Sequence, residues 1–262
     1  MSEFSTLFQP NDSDLISTNF TANYPHPDLD LPRKQNRWDD RYGSTIVLQW
    51  TPQQEVVQLP KPGFYAYAGK RLADVIISAF VIVFVLSWLI PVISVLILVK
   101  CQGPVFFIQA RTGRRGKPFL CLKFRTMVHV PDKPKGFQQT DLNDQRVTAL
   151  GRFLRRTNLD EIPQFINVLL GDMSLVGPRP HAVPHDAMHW DSPAYRERYW
   201  VRPGITGLAQ VRGSRGATGM TQRMDHRVRY DHLYIPRQAF WLDMQICYRT
   251  LKLMYKGDAN AR

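Results

Sequence analysis

The sequence predicts a mostly helical α/β protein. One membrane-inserted helix joins a cytoplasmic globular domain that carries amphipathic interfacial helices and a small β element. Three observations carry this reading. Val75 to Val99 is a run of 25 residues without a charge, longer than a soluble core helix sustains without a polar face. The chain beyond it alternates short β-like runs with apolar residues at helical spacing. Basic charge concentrates in that same part: residues 1–60 hold 4 basic and 8 acidic side chains, residues 61–262 hold 30 and 14. Such a domain calls for an anionic partner, whether nucleic acid, lipid headgroup or phosphorylated substrate.

Three segments follow from these contrasts. Residues 1–60 are rich in Asn, Asp, Ser, Thr and Pro and read as a largely disordered extension, with Thr45 to Trp50 as one short strand. Residues 61–102 form the membrane segment and residues 103–262 the globular domain. Cys101, Cys121 and Cys247 form no CxxC pair, which fits a reducing compartment. The opening MSEFSTLFQPNDSD has neither the basic nor the apolar region of a secretory signal.

A straight helix of 25 residues would span about 37 Å, enough to cross a bilayer. Two features oppose a simple crossing. Pro91 lacks an N–H and clashes with the preceding turn, which predicts a bend at Ile90-Pro91. Lys70 and Arg71 precede the run, and Lys100, Arg111, Arg114 and Arg115 follow it, so both flanks are drawn to the cytoplasm. A helix that enters, bends and returns satisfies both pulls, with a plain crossing as the alternative.

FFIQAR and FLCLKFRTM read as two short strands around the turn TGRRGKP. Arg114, Arg115 and Lys117 in the turn suit a solvated face against anionic lipid. Lys123 and Arg125, set among apolar residues, are better candidates for phosphate contacts. In the block from Arg146 to Pro180, Leu150, Phe153, Leu154, Ile162, Phe165, Ile166, Leu169 and Leu170 recur at helical spacing. Thr157 or Asn158 would cap a helix starting at Leu159, with Asp160 and Glu161 in its first turn. Acids there suit the helix dipole, a sufficient structural reason for both. Their setting adds a chemical one. Arg152, Arg155, Arg156 and Arg179 surround them, and a carboxylate in a positive field stays ionised. An ionised Asp can attack phosphorus, a neighbouring carboxylate can hold Mg²⁺, and Arg179, stiffened by Pro178 and Pro180, can fork onto a phosphate.

Five blocks together resemble the bacterial sugar transferase family, the monotopic phosphoglycosyl transferases: KRLADV leading into the apolar run; GPVFFIQARTG; LKFRTM; LGRFLRRTNLDEIPQFINVLLGDMSLVGPRPH; and VRPGITGLAQVRG. They stand in the family's order over residues 66–262. The resemblance implies transfer of a sugar-1-phosphate from a UDP-sugar to undecaprenyl phosphate with release of UMP. It implies Asp160 as the nucleophile of a covalent phosphosugar intermediate, Glu161 with Asp160 at Mg²⁺, and Arg179 on phosphate. It also implies a re-entrant helix with both ends at the cytoplasmic face of the bacterial inner membrane, among membrane lipids. Homo-oligomerisation is left open. Likeness of GPRPHAVPH and RGSRGAT to glucose-1-phosphate members points to UDP-glucose in exopolysaccharide or capsule synthesis, with galactose as the alternative. Two positions depart from the pattern: Ile90 stands where a Ser often precedes the Pro, leaving Ser87 or Ser94 to satisfy the bent backbone, and Leu208 replaces a Trp that would anchor at the interface.

Three lesser features complete the reading. His181, His185 and His189 recur every four residues, but Pro184 interrupts the helix a zinc face would need. Arg202, in the Gly- and Arg-rich stretch 201–216, is the preferred nucleotide-diphosphate contact. The C-terminal FWLDMQICYRTLKLMYK fits an interfacial amphipathic helix or a core helix equally. The competing function is a non-enzymatic, basic, membrane-anchored scaffold for nucleic acid or anionic lipid. No recognisable nucleic-acid motif accompanies the charge, so no nucleic-acid partner is expected.

Overall fold

The structure, a computed structural model, describes residues 64–100, 103–129, 144–214 and 221–256. The N-terminal extension with its expected strand at Thr45 to Trp50 lies outside them, as does Cys101.

The apolar run is helical from end to end. Helix α1 (Lys70–Lys100) is long and apolar enough to cross a membrane. The expected bend at Ile90-Pro91 is not where helical bonding changes: the α-helical stretch Ser87–Lys100 runs through Pro91. The irregularity lies one turn earlier, as a widened π turn over Ile82–Leu86, where the Ser87 N–H bonds the Ile82 carbonyl. An extra residue in that turn eases the clash of a proline ring with the turn before it. Ser87 Oγ donates to the Val83 carbonyl (2.6 Å) and Trp88 Nε1 to the Phe84 carbonyl (2.9 Å). Ser87 and Trp88 thus donate to carbonyls of the irregular turn, and neither of these bonds reaches the backbone freed at Pro91.

One stripe of α1 is buried along its whole length: Lys70, Asp74, Ser78, Leu86, Leu89, Ile93 and Ile97. The rest exposes large apolar side chains, among them Phe80, Phe84, Trp88 and Val95. The first half of the stripe is polar because it docks through charge. Lys70 Nζ reaches Asp243 and Tyr234 Oη (3.0 Å), and Asp74 Oδ1 accepts from the Leu175 N–H (2.9 Å) and Ser174 Oγ (3.1 Å). The second half is apolar and packs with Phe124 and Leu154 of the globular domain.

That domain begins with an antiparallel hairpin, β1 (Phe106–Thr112) and β2 (Pro118–Phe124), with Phe106 opposite Phe124. Its turn uses left-handed backbone at Arg115 and Gly116. Both strands fall where the sequence placed them. Helix α2 (Ala149–Arg156) is capped by Thr148, whose Oγ1 accepts from the Gly151 N–H. It lies so close to the backbone at Thr126 that a Cβ on Gly151 would collide with the Thr126 carbonyl. A 3₁₀ turn (Leu159–Glu161) leads to α3 (Gln164–Leu170). Buried Asn167 joins α3 to β2, taking the Leu122 N–H (3.0 Å) and donating to the Leu120 carbonyl (2.8 Å).

A second, parallel pair, β3 (Ser174–Val176) and β4 (Gly204–Thr206), was not legible in the sequence. Between its strands lie short α4 (Val183–Ala187) and α5 (Pro193–Glu197); α6 (Leu208–Val211), α7 (Thr221–Tyr234) and α8 (Phe240–Lys256) follow. The main core gathers Phe119, Val168, Met173, Leu208, Leu242 and Ile246. Leu208, expected near the interface, is therefore a core residue. Helix α8 combines both sequence readings: Leu242 and Ile246 are in the core, while Trp241, Tyr248, Leu251 and Tyr255 are exposed.

Replacing Asp74 by Ala strands the buried Leu175 N–H and should lower stability by about 2 kcal/mol. Asp74→Asn, which keeps an acceptor, should lose less. Thermal unfolding of the detergent-solubilised protein measures both.

Candidate active site

Asp160 and Glu161 do not open an α-helix. Helix α2 ends at Thr157, whose hydroxyl bonds back to the Phe153 and Leu154 carbonyls. Asn158 then turns left-handed (φ 54°) and caps nothing with its side chain, a conformation Asn tolerates. The reversal puts both acids on the 3₁₀ turn between two short helices, pressed against β2.

There Glu161 is clamped by two cations from different elements. Lys123 Nζ, from β2, lies 2.5 Å from Oε1. Arg179, from the loop after β3, takes both oxygens, Nη1 to Oε2 at 3.0 Å and Nη2 to Oε1 at 2.5 Å. Burial raises the Glu161 carboxyl, but Arg179 and Lys123 outweigh it and hold the group well below its ordinary value. Asp160 is buried too, 8% exposed, yet no donor among the described residues hydrogen-bonds its carboxylate. Burial pushes it up to about 6, against the pull of Lys123. It remains mostly ionised at neutral pH. Arg155, held by Thr126 Oγ1 at 2.9 Å, adds to the field on both acids.

The donor arithmetic leaves room for a phosphorylated ligand. Arg179 has five N–H groups and uses two on Glu161, so its outer edge remains for an anion. Both Asp160 oxygens and the second lone pair of Glu161 Oε2 are hard oxygen donors suited to Mg²⁺, which is commonly held by one or two carboxylates together with substrate phosphates.

Of the expected phosphate contacts, the structure gathers Arg179 and Lys123 at the acids and leaves two elsewhere. Arg125 Nη2 donates to the Gly103 carbonyl (3.1 Å) at the exit of the apolar segment. Arg202 Nε caps the end of α3 at the Gly171 carbonyl (2.9 Å), beside Arg71, which takes the Val168 and Leu169 carbonyls. A helix C-terminus, with its unpaired carbonyls, is a natural seat for a cation.

His181, His185 and His189 do come together, with ring centroids 4.8 and 5.2 Å apart. Pro184 opens α4 rather than breaking a helix, a role its fixed φ suits. The nitrogens of His181 are nevertheless engaged: Nε2 faces Arg227 Nη1 at 2.8 Å and Nδ1 faces Tyr195 Oη at 2.6 Å. Burial, Arg198 and Arg227 hold this imidazole well below its ordinary pKa. His181, His185 and Asp186 are close enough to hold a metal, and Asp186 Oδ1 also accepts from Tyr195 and Tyr199.

Known proteins share this part of the chain. Over 192 residues it is 45% identical to a UDP-glucose:undecaprenyl-phosphate glucose-1-phosphate transferase of Klebsiella pneumoniae, covering 73% of this chain and 40% of that protein. A protein of the same name from Caulobacter vibrioides is 42% identical over 200 residues, 76% of this chain and 74% of the relative. The exopolysaccharide production protein PSS of Rhizobium leguminosarum bv. phaseoli is 41% identical over 186 residues, 70% of this chain and 92% of the relative. The match thus spans only two fifths of the Klebsiella protein and of its Escherichia coli counterpart. The family model for bacterial sugar transferases matches residues 65–257, which include α1, the acidic turn and the Arg179 loop, and the chain belongs to that family.

Proposed function

We propose that the protein transfers glucose-1-phosphate from UDP-glucose to undecaprenyl phosphate, releasing UMP, as a membrane-bound step of exopolysaccharide or capsule synthesis. The observation that carries this reading is the unpartnered Asp160 carboxylate beside a Glu161 already neutralised by Lys123 and Arg179. The names of the relatives support the donor and the acceptor. One relative is named for N-acetylgalactosamine and another as a galactosyl transferase, so the sugar is the part a substrate panel decides.

Asp160 attacks the phosphorus that bears the sugar. A carboxylate–phosphorus bond forms, the bond to the bridging oxygen breaks, and UMP departs with that oxygen. An oxygen of the lipid phosphate then attacks the same phosphorus and displaces the Asp160 carboxylate. The free N–H edge of Arg179 and the remaining donors of Lys123 hold phosphate oxygens through both displacements. Mg²⁺ bound by Asp160 and Glu161 would supply further neutralisation of the phosphate charge.

The packing of α1 supports the re-entrant arrangement. Its far half buries Leu89, Ile93 and Ile97 against Phe124 and Leu154, one residue from Lys123. A helix that crossed the bilayer would carry that half about 30 Å away from a cytoplasmic domain. The site would then sit at headgroup height on the cytoplasmic face.

Purified protein with undecaprenyl phosphate, Mg²⁺ and a panel of UDP-sugars should release UMP fastest with UDP-glucose; no turnover with any UDP-sugar would sink the proposal. Asp160→Asn should lower the rate by about 10³-fold or more. The same substitution should stabilise the metal-free protein. The folded pKa of Asp160, about 6, lies above the ordinary carboxylate value, so the folded state prefers the protonated form. The penalty for ionising it is complete above about pH 6 and gone below about pH 4. In EDTA, Asp160→Asn should therefore melt higher than the parent at pH 8, with the gain shrinking toward pH 4.

A further inference from the structure

The Arg179 loop is held from behind by an unusual density of bonds. Four successive main-chain carbonyls each have a donor: Pro178 from the Gly204 N–H (2.9 Å), Arg179 from Arg198 Nη2 (2.9 Å), Pro180 from Arg111 Nη1 (2.8 Å) and His181 from the Thr112 N–H (3.2 Å). On its other flank the Gly177 N–H bonds the Thr206 carbonyl, and a Cβ on Gly177 or Gly204 would collide with the facing backbone. The loop is therefore held by its main chain on both flanks.

Arg198 is the contact set deepest. It is fully buried. Its Nε bonds Asp231 on α7 at 2.6 Å, and its guanidinium lies 5.0 and 5.7 Å from the ring centroids of Tyr195 and Tyr199. One turn before Asp231 on the same helix, Arg227 reaches His181 Nε2, two residues past Arg179. A buried ion pair is weak support for stability, since apolar replacements are often neutral. A planar guanidinium fixed at Nε by a carboxylate does, however, set the place of whatever its other nitrogens hold. Here Nη1 faces His181 Nδ1 (3.2 Å) and Nη2 holds the carbonyl of the residue whose side chain clamps Glu161.

We propose that Arg198, fixed by Asp231, is a positioning residue for phosphoryl transfer: it sets the main chain at Arg179 so that this guanidinium engages Glu161 and still faces the reacting phosphate. The inference rests on the transferase reading. It extends the working site to α7. Arg198 acts through Arg179, so removing it should cost nothing further once Arg179 is already replaced.

The test is a double-mutant cycle in the full-length protein, read as pre-steady-state UMP release from saturating UDP-glucose without lipid acceptor. The burst amplitude counts folded, competent sites, and the burst rate constant reports chemistry per site. Arg198→Lys should keep most of the amplitude and slow the burst about 10- to 100-fold, the scale of a 1 Å misplacement. Asp231→Asn should slow it in the same direction, and serves if Arg198→Lys does not fold. The double variant Arg179→Lys/Arg198→Lys should be no slower than Arg179→Lys within about threefold. Loss of amplitude with an unchanged rate per site, or losses that multiply in the double variant, would overturn the positioning role alone. A parent protein that turns over no UDP-sugar would overturn the transferase reading beneath it.

Discussion

The Glu161 carboxylate, shared by Lys123 and Arg179, is the interaction on which the site depends. It neutralises one of two adjacent buried acids, which lets the other stay ionised and unpartnered beside it. Without the two cations, a pair of carboxylates this buried would share a proton. The fold satisfies the requirement from three directions: the β1–β2 hairpin delivers Lys123, the turn reversed at Asn158 delivers the acids, and the loop after β3 delivers Arg179. Each is fixed by a side chain that completes backbone bonding elsewhere, Asn167 along β2, Thr148 at the start of α2 and Arg198 behind Arg179.

The excess of basic residues takes on a different meaning once the packing is known. Much of it is consumed inside the protein. Arg179 and Lys123 clamp Glu161, Arg198 pairs with Asp231, Arg71 and Arg202 cap α3, and Lys70 docks α1 on Asp243. Net charge alone therefore overstates the basic surface that the described residues offer to a partner. The same internal pairing binds the apolar helix to the globular domain, so that helix and the acidic turn belong to one packed unit.

The hairpin, the apolar helix and the acidic dyad with Arg179 were legible because each rests on local pattern: alternation, an uncharged run, and a block of residues in fixed order. What local pattern does not carry is tertiary context. Arg125 and Arg202 carry the right charge for phosphate, and the structure adds that each also serves a main-chain carbonyl, Gly103 and Gly171. Asp160 and Glu161 fit a helix start in sequence because Asn158 is a good cap; its left-handed turn makes the segment a 3₁₀ reversal instead. The β3–β4 pair escaped notice because each strand has three residues and its partner lies about thirty residues away. Arg198, Arg227 and Asp231 were missed for the same reason, although Arg227 and Asp231 at i, i+4 on one helix face were a signal that the face is polar and buried.

The central claim is that the open carboxylate beside the clamped one is the nucleophile. Peptide mapping by mass spectrometry of protein acid-quenched after mixing with UDP-glucose and Mg²⁺, lipid acceptor omitted, tests it most directly. The account predicts a hexose-phosphate adduct on the peptide containing Asp160, located to that residue, and none in Asp160→Asn. An adduct located on any other side chain, or UMP release in the parent with no adduct at all, would contradict it.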